Sequence, residues 1–372
     1  MKLDRLQVQG FKSLHAVDIQ LGNLNVLIGA NGAGKSNFIA LFRLLHEMVE
    51  GRFQLSVAQA GGASVFLHAG PEPAERIRLM LAFGPNAYTC NWVPTSDDRL
   101  IFEREVVFFS GDFADTKREL GSGQRESLLR QVNPGGYTVE SYVYNSLRSW
   151  HVYHFHDTSD SAAVKRAGDI NDDLELHTDA ANLAAFLRRL ELKAPSNYQA
   201  IRSTVRRVAP FFDDFLLRPT THNEDRIRLE WRSFGSSRPF LASQLSDGTL
   251  RFICLVTVLL QPKLPDVILI DEPELGLHPY AIELLAGLMR SVSTRTQLIV
   301  STQSVPLVNQ ILPEDVIVVD RQGPESVLRR LRSEDLAGWL EDYSLGELWE
   351  KNVLGGRPFP NPLLPSSPRS DE

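Results

Sequence analysis

The sequence predicts an α/β fold in which a largely parallel sheet is accompanied by an antiparallel β lobe and a helical insertion. At both ends of the chain, short apolar runs such as Leu24–Ile28 and Val267–Ile270 alternate with amphipathic helical segments. Between them the pattern turns helical from Glu140 to Phe212. Alternating polar and apolar residues earlier in the chain predict antiparallel strands at Ile77–Phe83, Tyr88–Pro94 and Leu100–Phe109.

The composition is ordinary for a globular protein: 372 residues, of which 43% are hydrophobic and 23% are charged. That length permits one large domain or two ordinary ones. The formal net charge of -7 excludes a wholly basic surface, so DNA contact would need a local basic patch. Two cysteines, Cys90 and Cys254, argue against a disulfide framework or a cysteine-based zinc site. With no signal-peptide pattern and no apolar run near the ~20 residues of a membrane span, we expect a cytoplasmic protein without membrane contact.

The first 70 residues predict three strands, one helix and a glycine-rich connection, with turns at Gly10 and Gly22. These five segments are Lys2–Val8, Val17–Leu21, Leu24–Ile28, Asn37–Val49 and Gly51–Gly70.

The eight residues Gly29–Ser36 fit the G-x-x-x-x-G-K-[ST] spacing of a phosphate-binding loop, between a strand and a helix as that motif requires. Its glycines allow backbone angles that turn successive N–H groups toward a phosphate, and the following helix adds its partly positive N-terminus. Lys35 would reach the β- and γ-phosphates, and the Ser36 hydroxyl would ligate Mg²⁺. We therefore predict that a nucleoside triphosphate is bound by Asn31, Gly32, Ala33, Gly34, Lys35 and Ser36.

A second motif supplies carboxylates. Val267–Ile270 predicts a buried parallel strand, and Asp271 and Glu272 follow at its C-terminal end, where ligands bind in open α/β sheets. We predict that Asp271 holds Mg²⁺ through water and that Glu272 is the general base for the attacking water. The alternative is a strand that merely ends in two solvated acids.

Two further stretches narrow the class of protein. Leu245–Thr249 opens a helix with Ser246 as its N-cap, which makes a second helix-terminus anion site. Because one chain rarely aims two such sites at one triphosphate, we predict that this one acts on the nucleotide of another subunit; a plain helix cap is the alternative. Ser301–Ser304 ends the strand after Asp271, so Gln303 would sense the γ-phosphate or the water, unless it is only a polar strand end.

Residues 110–140 are polar and glycine-rich and predict a mobile loop or hairpin. Two helices follow, with apolar faces over 183–190 and 198–208. Further helices are predicted at Gly248–Leu260, Tyr280–Arg290, Val305–Ile311 and 333–351, and further strands at Leu216–Pro219, Ile227–Trp231, Gln297–Ser301 and Asp315–Asp320. The Pro- and Ser-rich tail Pro358–Glu372 is predicted to be disordered. The side chains expected to dock the C-terminal helices onto the core are Leu336, Trp339, Leu340, Leu348 and Trp349.

Two groups of residues, one of histidines and one of arginines, could each be functional or could be ordinary surface features. A strand would put His151, His154 and His156 on one face beside Asp157, which suggests a metal site, but an ordinary strand with a polar, aromatic side gives the same pattern. Five arginines of the helical insertion would contact DNA phosphates if they formed a basic patch, although solvated arginines are commoner on amphipathic helices. These are Arg188, Arg189, Arg202, Arg206 and Arg207.

With these motifs, most of the chain resembles the ABC-type ATPase heads of the RecF, SMC and OLD group. Gly10–Leu14, followed by the phosphate loop and Asn37, is similar to the N-terminal block of SMC and RecF-like proteins. Leu245–Gly248 matches the signature motif of the group, which carries Asp247 where transporters have the LSGGQ form. Asp271–Pro279 is similar to the Walker B and D-loop motifs, and Gln303 stands where many relatives carry His.

The sequence looks closest to stand-alone RecF-like bacterial ATPases, which the blocks Tyr153–Ser159 and Tyr343–Gly346 also resemble. The resemblance implies an ATPase that hydrolyses ATP to ADP and phosphate with Mg²⁺, and a head-to-head homodimer that forms on ATP. Each nucleotide would lie between Lys12, Asn37 and the phosphate loop of one subunit and Ser246, Asp247 and Gly248 of the other. The expected segments are a Walker A lobe (1–115), an insertion lobe (116–240), the second half of the head (241–332), C-terminal helices (333–357) and a tail (358–372).

The chain has no long coiled coil and too little sequence after Asp320 for the TOPRIM nuclease of OLD proteins, so a partner or DNA binding would supply the output. One hypothesis is a RecF-like ATPase of DNA repair or DNA maintenance. The other is a regulatory ATPase of an anti-phage defence system that controls a separately encoded nuclease or TOPRIM-type effector. A transporter ATPase is disfavoured by the Gly10–Leu14 block and the signature.

Overall fold

A six-stranded, mostly parallel sheet forms the centre of the structure, a computed structural model that describes residues 2–69, 74–111 and 115–356. In chain order the strands are β1 (Arg5–Phe11), β2 (Leu14–Gln20), β3 (Leu24–Ile28), β4 (Ile77–Phe83), β5 (Asn86–Pro94), β6 (Leu100–Ser110), β7 (Asp115–Gly121), β8 (Trp150–Tyr153), β9 (Gly168–Asp169), β10 (Phe212–Leu216), β11 (Pro219–Thr220), β12 (Asn223–Ile227), β13 (Glu230–Ser233), β14 (Pro239–Leu241), β15 (Val267–Asp271), β16 (Gln297–Thr302), β17 (Val316–Gln322) and β18 (Glu325–Arg330). The helices are α1 (Lys35–Val49), α2 (Phe53–Ala60), α3 (Val139–Arg148), α4 (Leu183–Lys193), α5 (Pro195–Val208), α6 (Asp247–Leu260), α7 (Pro279–Ser293), α8 (Val305–Val308), α9 (Ala337–Leu340) and α10 (Leu345–Glu350).

The central sheet has the strand order β18-β17-β3-β16-β15-β8, and its neighbouring strands run parallel except for the β17–β18 hairpin. Ile28 of β3 pairs with Thr302 of β16, and Ser301 of β16 pairs with Asp271 of β15. The carboxyl ends of these three strands therefore lie side by side, and the loops that follow them share one edge of the sheet.

Successive side chains of the central strands enter two different apolar cores. On β15, Ile268 and Ile270 belong to one core and Val267 and Leu269 to the other. The first core contains the apolar faces of α4 to α7, and the second contains those of α1 and the antiparallel β lobe. Burial on both faces explains why this strand is apolar at every position, as predicted for a parallel strand.

The antiparallel lobe is a six-stranded sheet in the order β2-β1-β4-β5-β6-β7. The predicted antiparallel strands are confirmed here, and β4 has the predicted bounds. Strand β7 pairs with β6, so the hairpin alternative for residues 110–140 is correct over Asp115–Gly121. Residues 112–114 lie outside the described part of the chain.

The first two strands differ from the prediction, because the chain turns at Lys12 and Ser13 and Gly10 lies inside β1. Gly10 has a φ of 77°, and a Cβ there would stand 2.4 Å from the carbonyl oxygen of Arg76. Glycine is required by this close approach within a strand, whereas the sequence pattern suggested a turn.

The structure also differs from the prediction at three other segments. The glycine-rich connection after α1 contains the helix α2, which ends at Gly61 in a left-handed conformation. The strands predicted at 216–219 and 227–231 are displaced, since the chain forms β10, β11, β12 and β13 instead.

At the C-terminal helices, Leu336, Leu348 and Trp349 are buried as predicted, but Trp339 and Leu340 are exposed. The predicted disorder of Pro358–Glu372 falls on residues outside the described part of the chain. Among the described residues, no helix combines the length and apolar character that crossing a bilayer requires.

Candidate nucleotide-binding site

The phosphate loop (Gly29–Ser36) connects β3 to α1, and close packing fixes its shape. A Cβ on Gly29 would stand 2.3 Å from the carbonyl oxygen of Val319, and one on Gly34 would stand 2.0 Å from the Ser326 hydroxyl. Gly32 has open space around it but a φ of 78°, so it needs glycine for its backbone angle. Asn31, Gly32 and Ser36 are exposed and accessible to a phosphate.

The Lys35 side chain is buried, and its ammonium group donates to the carbonyl oxygens of Gly29 at 2.6 Å and Ala30 at 3.1 Å. Burial lowers the pKa of Lys35, and the charges of Glu272, Asp271 and Glu274 act in the opposite direction. The loop thus holds its own lysine close to the acidic residues that follow β15.

Two serines and an amide fasten the phosphate loop to other segments. The buried Ser326 hydroxyl donates to the carbonyl oxygen of Ala33 and lies 2.7 Å from the Ser13 hydroxyl, which accepts from the Asn37 amide at 2.7 Å. Asn37 therefore contacts Ser13 in the structure. Sequence reasoning missed Ser326, because the serine lies on β18, 293 residues after Ala33 along the chain.

Lys12 occupies the turn between β1 and β2 with a φ of 47°, and its ammonium group lies 5.2 Å from the centre of the Phe66 ring. Burial, followed by the charge of Arg43, lowers its pKa. The side chain therefore rests on an aromatic ring rather than on the phosphate loop.

The acidic motif of Asp271 and Glu272 lies at the shared sheet edge. Asp271 accepts a hydrogen bond from the Ser301 hydroxyl, and the Glu272 carboxylate accepts one from the Gln303 amide. Neighbouring Glu274 accepts from Thr302 Oγ1 at 2.6 Å and from the Gln303 N–H at 3.1 Å, and burial raises its pKa. The structure thus brings Gln303 and Glu272 into direct contact.

Two histidines join this edge. His154, His156 and Asp271 each have one ligand atom within 4.8 Å of the others. Arg43 hydrogen-bonds His154 Nε2, and burial, followed by the charge of Arg43, lowers the pKa of His154 to about 4.

The predicted grouping of three histidines is wrong, because β8 ends at Tyr153 and because His151 and His154, three residues apart, would face opposite sides of a longer strand. The His151 ring lies apart from the other two, with its centre 6.0 Å from that of His46. Asp157 does not join the cluster either; its carboxylate accepts from the N–H of Ser159 at 3.0 Å.

The signature turn (Leu245–Gly248) opens α6. The Ser246 hydroxyl caps the helix by accepting from the Thr249 N–H at 3.2 Å. A Cβ on Gly248 would stand 2.1 Å from the carbonyl oxygen of Gly276, so the turn packs tightly against the D-loop segment (Glu274–Pro279). Ser246, Asp247 and Leu275 are exposed on this surface.

Arg251 is a site residue that sequence reasoning missed. It is buried on α6 and donates from Nε to the carbonyl oxygen of Phe155 at 2.8 Å, from Nη2 to that of His156 at 3.2 Å, and from Nη1 to that of Leu275. Arg251 therefore joins the residues that follow β8, Phe155 and His156, to the D-loop segment. The available signal was one arginine in an otherwise apolar helix, since buried arginines occur where they are paired.

Of the five arginines of the helical insertion, three are engaged in ion pairs. Arg202 and Arg206 approach Asp213 at 3.4 Å and 2.5 Å, and Arg189 approaches Asp173 at 3.4 Å. Over the described ranges, Arg188 and Arg207 have no ion pair, so three of the five predicted DNA-contacting arginines are engaged within the protein.

The donor set of the sheet edge suits a nucleoside triphosphate with Mg²⁺. Mg²⁺ prefers oxygen ligands, which Ser36 and Asp271 offer, and Lys35 supplies a cation for phosphate oxygens. The phosphate loop is exposed at Asn31, Gly32 and Ser36, and its backbone N–H groups at the start of α1 supply anion-binding donors.

Comparisons with known proteins agree with this geometry. Residues 24–309 match the family described as "AAA domain, putative AbiEii toxin, Type IV TA system". No curated protein matches the sequence. Among solved structures, an SMC head bound to the C-terminal winged-helix domain of ScpA is 18% identical with a TM-score of 0.57, covering 91% of this chain and 100% of that one. An SMC head from Pyrococcus furiosus with an extended coiled coil, bound to the C-terminal domain of ScpA, is 16% identical with a TM-score of 0.53, covering 91% and 98%. The chain therefore belongs to the AAA domain family of that description and has the fold of an ABC-type, SMC-head-like P-loop ATPase.

Proposed function

We propose that the protein binds MgATP at the phosphate loop and hydrolyses it in a head-to-head dimer. In this dimer, Ser246, Asp247 and Gly248 of one protomer complete the nucleotide site of the other. Lys35 exchanges its two carbonyl partners for phosphate oxygens, and Ser36 and Asp271 hold Mg²⁺. When bound, that ion neutralises charge on the β- and γ-phosphate oxygens.

Glu272 takes the proton from the attacking water, and Gln303 orients the Glu272 carboxylate through their hydrogen bond. Glu274 is a positioning residue, because it holds the Gln303 backbone through the Gln303 N–H. The base and the residue that orients it thus follow adjacent parallel strands, β15 and β16.

One observation carries the composite site: the signature turn packs against the D-loop segment, and Ser246, Asp247 and Leu275 are exposed there. In residues 2–69, 74–111 and 115–356, no hydrogen bond or ion pair joins Ser246 or Asp247 to the phosphate loop; Asp247 instead lies 3.7 Å from the ammonium group of Lys165. An exposed helix N-terminus offers a binding site for the phosphates of a second protomer.

A subunit-mixing experiment tests this proposal. Lys35→Ala removes the phosphate loop cation and Ser246→Arg blocks the signature turn, so each variant alone should lose nearly all ATPase activity. Mixed in equal amounts, they should regain about a quarter of the wild-type rate, because half of the dimers are mixed and each has one intact site. Two inactive variants that stay inactive when mixed would contradict a composite site.

Ser237→Arg is the matched control for the charge and bulk of the new arginine, since Ser237 is also exposed. It should retain wild-type activity alone. Binding of a fluorescent ATP analogue to Ser246→Arg should be unchanged, because the residue lies outside the loop that holds the nucleotide in its own protomer.

We propose that the ATPase acts by controlling a partner protein. Three of the five arginines of the helical insertion are held in ion pairs, which makes DNA binding by the insertion the less favoured function. The family description names a toxin of a type IV TA system, and the related SMC heads are bound to a partner domain. The second candidate, DNA maintenance, rests on the SMC-like head. It requires DNA affinity that falls steeply with salt, which a fluorescence anisotropy titration measures.

A further inference from the structure

A second group of metal-ligating side chains lies beside the residues that fasten the phosphate loop. His15, His68 and Glu325 each have one ligand atom within 4.8 Å of the others. They come from three distant segments: the start of β2, the connection between α2 and β4, and the start of β18. The two imidazole rings lie 4.4 Å apart, centre to centre.

One of the two histidines makes the hydrogen bond expected of a metal ligand, and the other has a buried ring nitrogen without a hydrogen-bond partner among the described residues. His68 is buried, and its Nδ1 lies 2.6 Å from the carbonyl oxygen of Lys12. Because a carbonyl only accepts, Nδ1 carries a proton, which in the neutral imidazole leaves the lone pair on Nε2. Metal-bound histidines commonly donate their other N–H to a carbonyl in this way. Nδ1 of His15 is buried and has no hydrogen-bond partner among the described residues.

We propose that His15, His68 and Glu325 bind one divalent transition-metal ion, with Zn²⁺ as the ion that suits the set. Two imidazoles and one carboxylate leave a fourth tetrahedral position for water, whereas Mg²⁺ prefers oxygen ligands alone. Ligand atoms around tetrahedral Zn²⁺ lie about 3.4 Å apart, whereas those of the group lie within 4.8 Å of one another, so any closure needed on binding is at most about 1.4 Å. Glu325 supplies that movement, since it is half-buried at the start of β18.

The ion would tie together the segments that position the phosphate loop. Glu325 precedes Ser326, whose hydroxyl donates to Ala33, and His15 follows closely on Ser13. His68 holds the carbonyl of Lys12 in the same turn. Metal binding should therefore stabilise the folded protein and order the turn beside the nucleotide site.

Metal binding is tested on untagged, chelator-treated protein by calorimetric titration with Zn²⁺ and by the visible absorption of added Co²⁺. The wild type should bind one Zn²⁺ and give the intense Co²⁺ spectrum of a tetrahedral site. Glu325→Gln and His68→Gln should each weaken Zn²⁺ binding by about tenfold or more. Zn²⁺ should raise the melting temperature of the wild type and not that of Glu325→Gln.

Two control variants, each with a histidine replaced by glutamine elsewhere, show whether Zn²⁺ binding depends on the proposed ligands. His222→Gln changes an exposed histidine and should leave Zn²⁺ binding unchanged. His156→Gln tests the other histidine group, near Asp271, and should also bind Zn²⁺ normally. The proposal is overturned if the wild type binds no Zn²⁺, if Glu325→Gln binds it as well as the wild type does, or if His156→Gln alone abolishes binding. None of these readouts depends on ATP hydrolysis, so this proposal and the proposed ATPase fail independently.

Discussion

Glu272 has an unusual backbone conformation for a residue with a side chain, since its φ is 43°. The left-handed region costs a residue with a Cβ about 1 kcal/mol relative to glycine. The surrounding hydrogen bonds hold it there: its N–H donates to the Ser301 carbonyl at 2.9 Å, and its carboxylate accepts from Gln303. This arrangement fixes the carboxylate at the sheet edge where the phosphate loop begins.

Replacing Glu272 by Gln keeps the shape of the side chain and removes its basicity. We expect ATP turnover to fall at least about 100-fold, because a general base contributes about that much to the rate. ATP should still bind, and light scattering should show a dimer that persists with ATP. Glu341→Gln, at an exposed site near the C-terminus, is the control. Turnover equal to that of the wild type would remove Glu272 from its proposed role.

At the scale of elements, Glu105 on β6 is a fully buried carboxylate that joins β5 to the segment after β7. It accepts from the Tyr88 hydroxyl at 2.8 Å, the Gln124 amide at 2.9 Å, the Leu128 N–H at 2.9 Å and the Ser127 hydroxyl. Burial raises the pKa of Tyr88 well above its usual value, so the phenol remains a donor. Buried carboxylates persist where several donors compensate for lost hydration.

Glu105→Leu should lower the free energy of unfolding by about 3 kcal/mol, because it leaves several buried donors without an acceptor. The control is Glu103→Leu on the same strand, which loses a half-exposed ion pair with Arg76 and should cost about 0 to 1 kcal/mol. Urea denaturation measures both. Equal midpoints for the two variants would show that the buried network does not stabilise the lobe.

Sequence patterns over a few neighbouring residues predicted correctly those helices and strands whose bounds depend on local polarity alone. Strand β4 has the predicted bounds because alternation alone marks a half-buried strand. The predicted bounds of β1 and β2 were wrong because Gly10 was interpreted as a turn residue. In the structure Gly10 lies inside a strand, where close packing requires glycine. The partners of Ser326 and Arg251 could not be predicted, because Ser13 and Phe155 lie 313 and 96 residues away along the chain.

At the scale of the whole molecule, the proposed dimer places the phosphate loop of one protomer against the signature turn of the other. Asn31 and Asp247 are both exposed, which makes them suitable positions for cross-linking. The native cysteines, Cys90 and Cys254, are buried and free, so they will not compete for a cross-linker.

In the Glu272→Gln background, Asn31→Cys together with Asp247→Cys should give covalent dimers with a short bismaleimide only when ATP and Mg²⁺ are present. The physical reason is that the two thiols meet only across the nucleotide. Gel electrophoresis under reducing conditions measures the yield. Leu55→Cys paired with Asp247→Cys is the control, since Leu55 is exposed on α2. Cross-linking without ATP, or none with it, would argue against head-to-head dimers.

The Ser326 contact has a consequence for synthesis of the protein. The hydroxyl that supports Ala33 belongs to Ser326, which is synthesised 293 residues after Ala33. At an elongation rate of about 5 to 20 residues per second, the delay is roughly 15 to 60 s. During that interval the nascent polypeptide lacks the hydroxyl that supports Ala33, so we expect the phosphate loop to reach its final shape only after β18 has been synthesised.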